Sequence, residues 1–136
     1  MRLLLDTHVL IWFVEGRQEL STSSRRVLED SAVDPGLMIS AITFWEVAML
    51  CARGRISVAR PVQEWRRAIL DTAGFEEIAV AGDVAVEAVQ LPGELHADPA
   101  DRILAATARL RGAHLATRDK PLIAYGRAGH LAVVKV

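Results

Sequence analysis

Cysteine, lysine and net positive charge are all scarce in this sequence of 136 residues. Cys51 is the one cysteine, which excludes an intrachain disulfide, and no Cys/His cluster has the spacing of a zinc site. A single thiol fits a reducing compartment, so we expect a cytoplasmic protein. The formal net charge is −1, so the whole chain offers no positive field for nucleic acid. Acids gathered at one site would nevertheless leave the remaining surface more basic than this total.

Long apolar runs are absent as well. Asp6 interrupts the apolar start of the chain, which argues against a signal peptide. No stretch reaches the roughly 20 apolar residues of a membrane-spanning helix, so we expect no membrane segment. Hydrophobic residues still make up 51% of the sequence, enough for the core of one domain, which we place at residues 1–136.

Short apolar segments alternate with helix-like segments along the chain. The pattern predicts strands at 2–5, 37–40, 75–80, 113–117 and 131–136. It predicts a first helix at 9–14, capped by Thr7, and a helix that begins at 40 or 43 and ends at 53. Further helices are predicted at 21–31, 62–72, 83–91 and 98–110. A turn is predicted at 34–36, and a loop or short helix at 119–126. This alternation favours an α/β fold with a parallel sheet covered by helices on both faces. Sites in such folds lie at the carboxyl ends of the strands.

Glu46 is the acid most out of place in this pattern. Its neighbours three and four positions away on the predicted helix are Ile42, Thr43, Met49 and Leu50, of which three are large and apolar. An unpaired carboxylate in such a stripe is costly. Glu46 is therefore expected to pair with an arginine, to be protonated, or to bind a metal.

Four other acids lie where strands end or helices begin. Asp6 ends the first strand, and Asp119 follows the strand at 113–117. Asp98 and Asp101 lie in the first turn of one helix, and Asp101 has apolar neighbours. Each has a purely structural alternative: a helix cap for Asp6 and Asp98, a favourable helix-dipole contact for Asp101, and a turn for Asp119.

Taken together, the acids make a consistent set from separate segments. Like charges would forbid Asp6, Glu46, Asp101 and Asp119 from clustering unless a cation were present. Mg²⁺ suits oxygen ligands, and a metal held this way can activate water and neutralise charge on a phosphate. No Ser/His/Asp nucleophile set or phosphate-binding glycine loop is evident. Flanking phosphates would need bases, for which Arg53, Arg55 and Arg102 are candidates, although Arg102 could equally pair with an acid.

Four segments resemble the motifs of PIN-domain proteins of the VapC toxin type, in the same order and over nearly the whole chain. The first is Leu-Leu-Leu-Asp6-Thr7-His8, and the second runs from Ser40 through Trp45-Glu46-Val-Ala. The third is Asp98-Pro-Ala-Asp101-Arg102, and the fourth is Thr117-Arg118-Asp119. Ala100 stands where relatives often carry an aromatic residue.

The resemblance implies a three-layer α/β/α sandwich with a mostly parallel sheet of about five strands. It implies an Mg²⁺-dependent endoribonuclease, with Mn²⁺ as a substitute, that acts as the toxin of a type II toxin–antitoxin pair. The cleavage would leave a 5′-phosphate and a 3′-hydroxyl. It further implies an RNA substrate, a small cognate antitoxin that covers the site, a homodimer, and no organic cofactor.

Residue by residue, the resemblance makes Asp6, Glu46 and Asp101 the metal ligands. Asp119 would be a fourth catalytic acid that holds a second metal or positions water. Thr7 and Thr117 would support the acids through their hydroxyls, and Asp98 would be an accessory acid.

Three alternatives remain open on the sequence. Asp6 could be the phospho-acceptor of an Mg²⁺-dependent phosphotransfer domain, although His8 stands where haloacid-dehalogenase-like enzymes need a second Asp. The chain could be an inactive module that only binds an antitoxin or RNA. The substrate could also be DNA.

Overall fold

The protein is described by a computed structural model that covers residues 1–33 and 36–136. Asp34 and Pro35, where a turn is predicted, lie outside the described residues. The strands are β1 (Leu3–Leu5), β2 (Leu37–Ser40), β3 (Phe75–Ile78), β4 (His114–Thr117) and β5 (Val133–Lys135). The helices are α1 (Thr7–Val14), α2 (Thr22–Ser31), α3 (Ala41–Ala52), α4 (Val62–Asp71), α5 (Gly82–Gln90), α6 (Pro99–Arg111) and α7 (Lys120–Arg127).

The five strands form one sheet in the order β3-β2-β1-β4-β5, and every neighbouring pair is parallel. The central strand β1 pairs with β2 through Leu3 opposite Leu37, and with β4 through Leu5 opposite Ala116. The predicted α/β class with about five strands is confirmed.

Side chains that alternate along the strands feed two separate cores. Leu3 and Leu5 lie in one core with residues of α1, α2, α3 and α4. Leu4 points to the other face and packs with residues of α5, α6 and α7. Because successive residues of a strand face opposite sides of the sheet, both faces are covered by helices. The predicted three-layer arrangement is confirmed.

Several helices begin at the polar residues that the sequence suggests, whereas α4 and α5 begin after Pro61 and Ala81 without a side-chain cap. Ser21, Ser40 and Asp98 each cap a helix through a side-chain oxygen. The cap of α1 is Asp6 rather than Thr7, because the aspartate has the extended backbone and accepts the first amide. The segment predicted as a loop or short helix is α7, capped by Asp119. No helix in the described ranges has both the length and the apolar character that crossing a membrane would need.

The order of the strands creates a crevice beside β1. The chain leaves β1 toward β2 and β3, and then returns to build β4 and β5 on the other side. Connections that leave adjacent parallel strands in opposite directions open a cleft at their carboxyl ends. Asp6 follows β1 and Asp119 follows β4 at this edge, so the topology alone brings these two acids together.

At the opposite edge of the sheet, close packing around Gly74 offers a test of the fold. Gly74 has φ of +96°, and a Cβ there would collide with the carbonyl oxygen of Ala32. Gly16 has φ of +63° but an added Cβ would meet nothing within 4 Å. Gly16→Ala should therefore cost about 1 kcal/mol of unfolding free energy from backbone strain alone. Gly74→Ala should cost roughly 3 kcal/mol or more, because the backbone must also shift. Urea denaturation measures both, and equal losses would contradict the packing described here.

Candidate active site

A pocket of about 350 Å³ lies at the carboxyl edge of the sheet. We call it the acid pocket, because five of its lining side chains are carboxylic acids. Its lining consists of Asp6, His8, Val9, Trp12, Glu46, Asp98, Asp101, Arg118 and Asp119. The four acids with a predicted catalytic role and the predicted accessory acid all line this one pocket.

Asp6 is the most enclosed of these acids, with 9% of its surface exposed. One carboxylate oxygen accepts a hydrogen bond from the backbone N–H of Thr7 at 2.7 Å, and the other accepts from the Thr117 hydroxyl at 2.6 Å. Burial raises the pKa of Asp6, as does the negative charge of Asp119, while the two hydrogen bonds oppose the rise. Asp6 is thus both the cap of α1 and a wall of the acid pocket.

The Thr117 hydroxyl joins two of the acids. It donates to Asp6 and accepts from the backbone N–H of Asp119 at 3.0 Å. Asp119 in turn caps α7 by accepting from the N–H of Leu122 at 3.1 Å. The Thr7 hydroxyl instead lies 3.5 Å from the hydroxyl of Thr43, so Thr7 contacts Asp6 through its backbone only.

Asp101 is a second acid whose acidity the site perturbs. Burial raises its pKa from the ordinary 3.8 to about 7, and the negative charges of Asp6, Asp98, Asp119 and Glu46 add to the rise. Asp98 caps α6 by accepting from the N–H of Asp101 at 3.2 Å. The two acids of this helix turn are therefore held side by side.

His96, just before α6, touches Asp101. Its Nε2 lies 3.1 Å from Asp101 Oδ2, while its Nδ1 accepts from the backbone N–H of Asp98 at 3.3 Å. This contact has no counterpart in the sequence analysis, although His96 lies only two residues before Asp98.

Glu46 projects from α3 into the acid pocket and is half-buried. Its helix neighbour Thr43 is fully buried, whereas Ile42, Met49 and Leu50 are half-buried, so the stripe is less enclosed than predicted. Within the described ranges Glu46 makes no salt bridge. The alternative that an arginine neutralises Glu46 therefore finds no support among those residues.

The arginine suggested by its place beside Asp101 has a different task. Arg102 donates to the carbonyl oxygens of Ala88 and Leu95, both at 2.8 Å, and so ties α6 to the end of α5 and to the following loop. Arg102 makes no salt bridge in the described ranges and does not line the acid pocket, so nothing in the structure supports the suggestion that it holds a phosphate or pairs with an acid. Arg53 and Arg55 are exposed and do not line the acid pocket.

Two aromatic rings and one guanidinium line the acid pocket although the sequence alone assigned them no role in the site. His8 and Trp12 lie four residues apart on α1, and their ring centroids are 6.0 Å apart. The guanidinium carbon of Arg118 lies 4.6 Å from the centre of the Trp12 ring. The i, i+4 spacing after Asp6 could have placed His8 and Trp12 on one face. Trp12 is half-buried: it packs on the first core and also lines the pocket.

Chemically, the acid pocket offers oxygen donors from four separate segments. Asp6, Glu46 and Asp101, the ligands expected from the sequence, all line this pocket. The group whose ligand atoms lie within 4.8 Å of one another in the described residues is a different one, His96, Asp101 and Asp119. Carboxylate oxygens suit hard divalent cations such as Mg²⁺ and Mn²⁺. Asp101 belongs to both the expected set and the observed group.

Comparison with known proteins gives matches over nearly the whole chain. The family described as PIN domain matches residues 3–128. Ribonuclease VapC22 of Mycobacterium tuberculosis is 34% identical over 119 residues, which cover 88% of each chain. A chain in a toxin–antitoxin complex from Klebsiella pneumoniae is 31% identical, with a TM-score of 0.66 over 97% of this chain and 95% of that one.

A more distant structure agrees in fold. VapBC2 from Rickettsia felis, solved with a DNA fragment from its promoter, contains a chain with a TM-score of 0.69 over 98% of both chains. Its identity of 18% carries the likeness of fold alone. The family match and the two relatives above 30% identity, together with the acid pocket at the expected edge of the sheet, show that the chain belongs to the PIN domain family.

Proposed function

We propose that this PIN-domain protein is a metal-dependent endoribonuclease that acts as the toxin of a toxin–antitoxin pair. One observation carries the proposal: five carboxylic acids share one pocket, and none of them pairs with a lysine or arginine in the described ranges. Like charges that share one partly buried pocket repel strongly. A divalent cation is the simplest group that would neutralise them.

The donor set fits Mg²⁺, with Mn²⁺ as a substitute. Asp6, Glu46 and Asp101 would hold the ion, and Asp119 would be the fourth acid, close to a second ion or to water. A divalent ion held there neutralises charge on a phosphodiester and makes water more acidic. The pKa of about 7 at Asp101 in the metal-free protein supports this reading, because an acid destabilised by its neighbours gains most from a nearby cation.

The supporting residues fix the acids in place before any ion arrives. The Thr117 hydroxyl binds Asp6 and the Asp119 backbone, and His96 Nε2 lies 3.1 Å from Asp101 Oδ2. Both Asp6 oxygens accept hydrogen bonds, and the residue is 9% exposed. A buried carboxylate whose two oxygens both accept hydrogen bonds is a poor nucleophile. This disfavours the alternative in which Asp6 is the phospho-acceptor of a phosphotransfer domain.

RNA as substrate and an antitoxin as partner are supported by the relatives. The 34% identical relative is named a ribonuclease, and the 31% identical structure is a toxin–antitoxin complex. The DNA of the Rickettsia structure is a promoter fragment bound to that complex. We further propose that residues 1–136 form one domain, that the protein works in the cytoplasm, and that it forms a homodimer.

The first test removes a carboxylate charge. Asp6→Asn and Asp101→Asn should each lower the cleavage rate of a single-stranded RNA in Mg²⁺ by at least about a hundredfold, because the variants lose a ligand charge. Asp30→Asn, which changes an exposed acid on α2, should leave the rate unchanged. Circular dichroism checks the fold. Cleavage by either site variant at the rate of the Asp30 variant, or undiminished cleavage in chelator, would refute the proposal.

The second prediction concerns stability against pH. Between pH 3.8 and about 7 the folded protein binds a proton at Asp101 that the unfolded chain has released, so unfolding free energy falls as pH rises through this window. Asp101→Asn removes this loss. In chelator at pH 8 the variant should be about 2–4 kcal/mol more stable than the wild type, and near pH 4 the two should be alike.

Divalent metal should reverse this order of stability. The ion binds the folded wild type and stabilises it by mass action, whereas the variant has lost a ligand. Thermal melts with and without Mg²⁺ at both pH values measure the effect. A wild type that is already the more stable protein in chelator at pH 8 would contradict the described crowding of acids.

A third test asks whether Thr117, which is not itself a proposed metal ligand, supports the acids that are. Thr117→Val keeps the volume but removes the hydroxyl that Asp6 and Asp119 share, and should weaken Mn²⁺ binding about tenfold by calorimetry. Thr107→Val is the matched control, because this buried hydroxyl donates only to Ile103 O within α6. If both variants bind Mn²⁺ as the wild type does, Thr117 has no supporting role.

A further inference from the structure

One positively charged side chain lines the acid pocket within the described residues, and it does not neutralise an acid. Arg118 follows β4, directly before Asp119. Across the described ranges it pairs with no Asp or Glu side chain. An arginine that lies beside five acids without pairing with any of them is held by something else.

Backbone carbonyls and an aromatic ring hold this guanidinium. Arg118 Nε donates to the carbonyl oxygen of Val136 at 3.0 Å, and Nη2 donates to the carbonyl oxygen of Glu19. The guanidinium carbon lies over the Trp12 ring, 4.6 Å from its centre. Nη1 has no hydrogen bond to the described protein atoms. The charge is therefore fixed in position, and a donor remains for a ligand.

This arrangement fits a phosphate better than a carboxylate of the protein. Guanidinium groups bind phosphate oxygens with strong, charge-assisted hydrogen bonds. A group that is already oriented loses little conformational entropy on binding. RNA that enters a pocket of acids also needs an attractive contact that the acids cannot give, and the arginines proposed from sequence do not line this pocket.

We propose that Arg118, held against Trp12, binds a backbone phosphate of the RNA strand in the acid pocket. The inference rests on the proposed function and extends it, since it assigns the phosphate contact to a residue of the fourth sequence motif. Arg118 is thus a substrate-binding residue at the rim of the metal site.

The chain supplies a close control in Arg25. Its guanidinium also donates to two backbone carbonyls, those of Phe13 and Trp12, and lies 5.5 Å from the centre of the Phe13 ring. It carries the same charge in the same kind of setting but does not line the acid pocket. Arg25→Gln therefore loses the same charge and the same kind of structural contacts as Arg118→Gln, but it does not remove the proposed phosphate ligand.

The test measures binding of a fluorescein-labelled single-stranded RNA by anisotropy, with Ca²⁺ in place of Mg²⁺ and at several KCl concentrations. Arg118→Gln should raise Kd about tenfold. It should also lower the slope of log Kd against log salt by about 0.7, the value for one lost phosphate contact on a single strand. Arg25→Gln should leave the slope unchanged. Equal slopes and affinities for the two variants would overturn the inference.

A measurement on the wild type covers the case in which Arg118→Gln unfolds. In spectra of arginine side chains, the Nε–Hε signal of Arg118 should shift on addition of the RNA, while that of Arg25 stays in place. An unmoved Arg118 signal at saturating RNA would also overturn the inference. A wild type that binds and cuts no RNA with Mg²⁺ or Mn²⁺ would instead refute the proposed function, and this inference would fall with it.

Discussion

Repulsion among carboxylates at one edge of the sheet is the constraint on which the rest of this structure turns. The two cores hold the strands in place, and the strand order puts the carboxyl ends of β1 and β4 side by side. Asp6 and Asp119, which follow these strands, are therefore brought together. Burial and neighbouring charge raise the pKa of Asp101 to about 7, which shows how far the pocket disfavours a full set of charges.

The fold accommodates these acids by using three of them as helix caps. Asp6, Asp98 and Asp119 each cap a helix with the same side chain that lines the acid pocket. A carboxylate at a helix N-terminus meets the positive end of the helix dipole and unsatisfied N–H groups, both of which favour its charge. The structural alternatives weighed for these residues and their proposed catalytic roles are thus compatible, since one carboxylate can serve both.

How much could be predicted from sequence depended on how local the signal was. The strands, the caps and the misplaced acid Glu46 follow from patterns within a few residues, and alternation of elements was enough for the parallel sheet. Arg118 was missed because its partners, Glu19 and Val136, are far away along the chain and offer only carbonyl oxygens. Arg102 was misjudged for the same reason: a charge beside Asp101 suggested an ion pair, but backbone carbonyls took its donors.

The distribution of charge reconciles an almost neutral chain with a nucleic-acid substrate. The acid pocket has five acids and one arginine, a formal charge of −4, so the rest of the chain carries +3 out of a total of −1. The surface away from the site is therefore mildly basic, as the sequence allowed, while the negative charge of the site repels phosphate. A divalent ion held there would reduce the formal charge from −4 to −2, so it would weaken the repulsion that an approaching strand meets as well as supply chemistry. Arg118, the exposed cation that lines the pocket in the described ranges, would add an attractive contact for that strand.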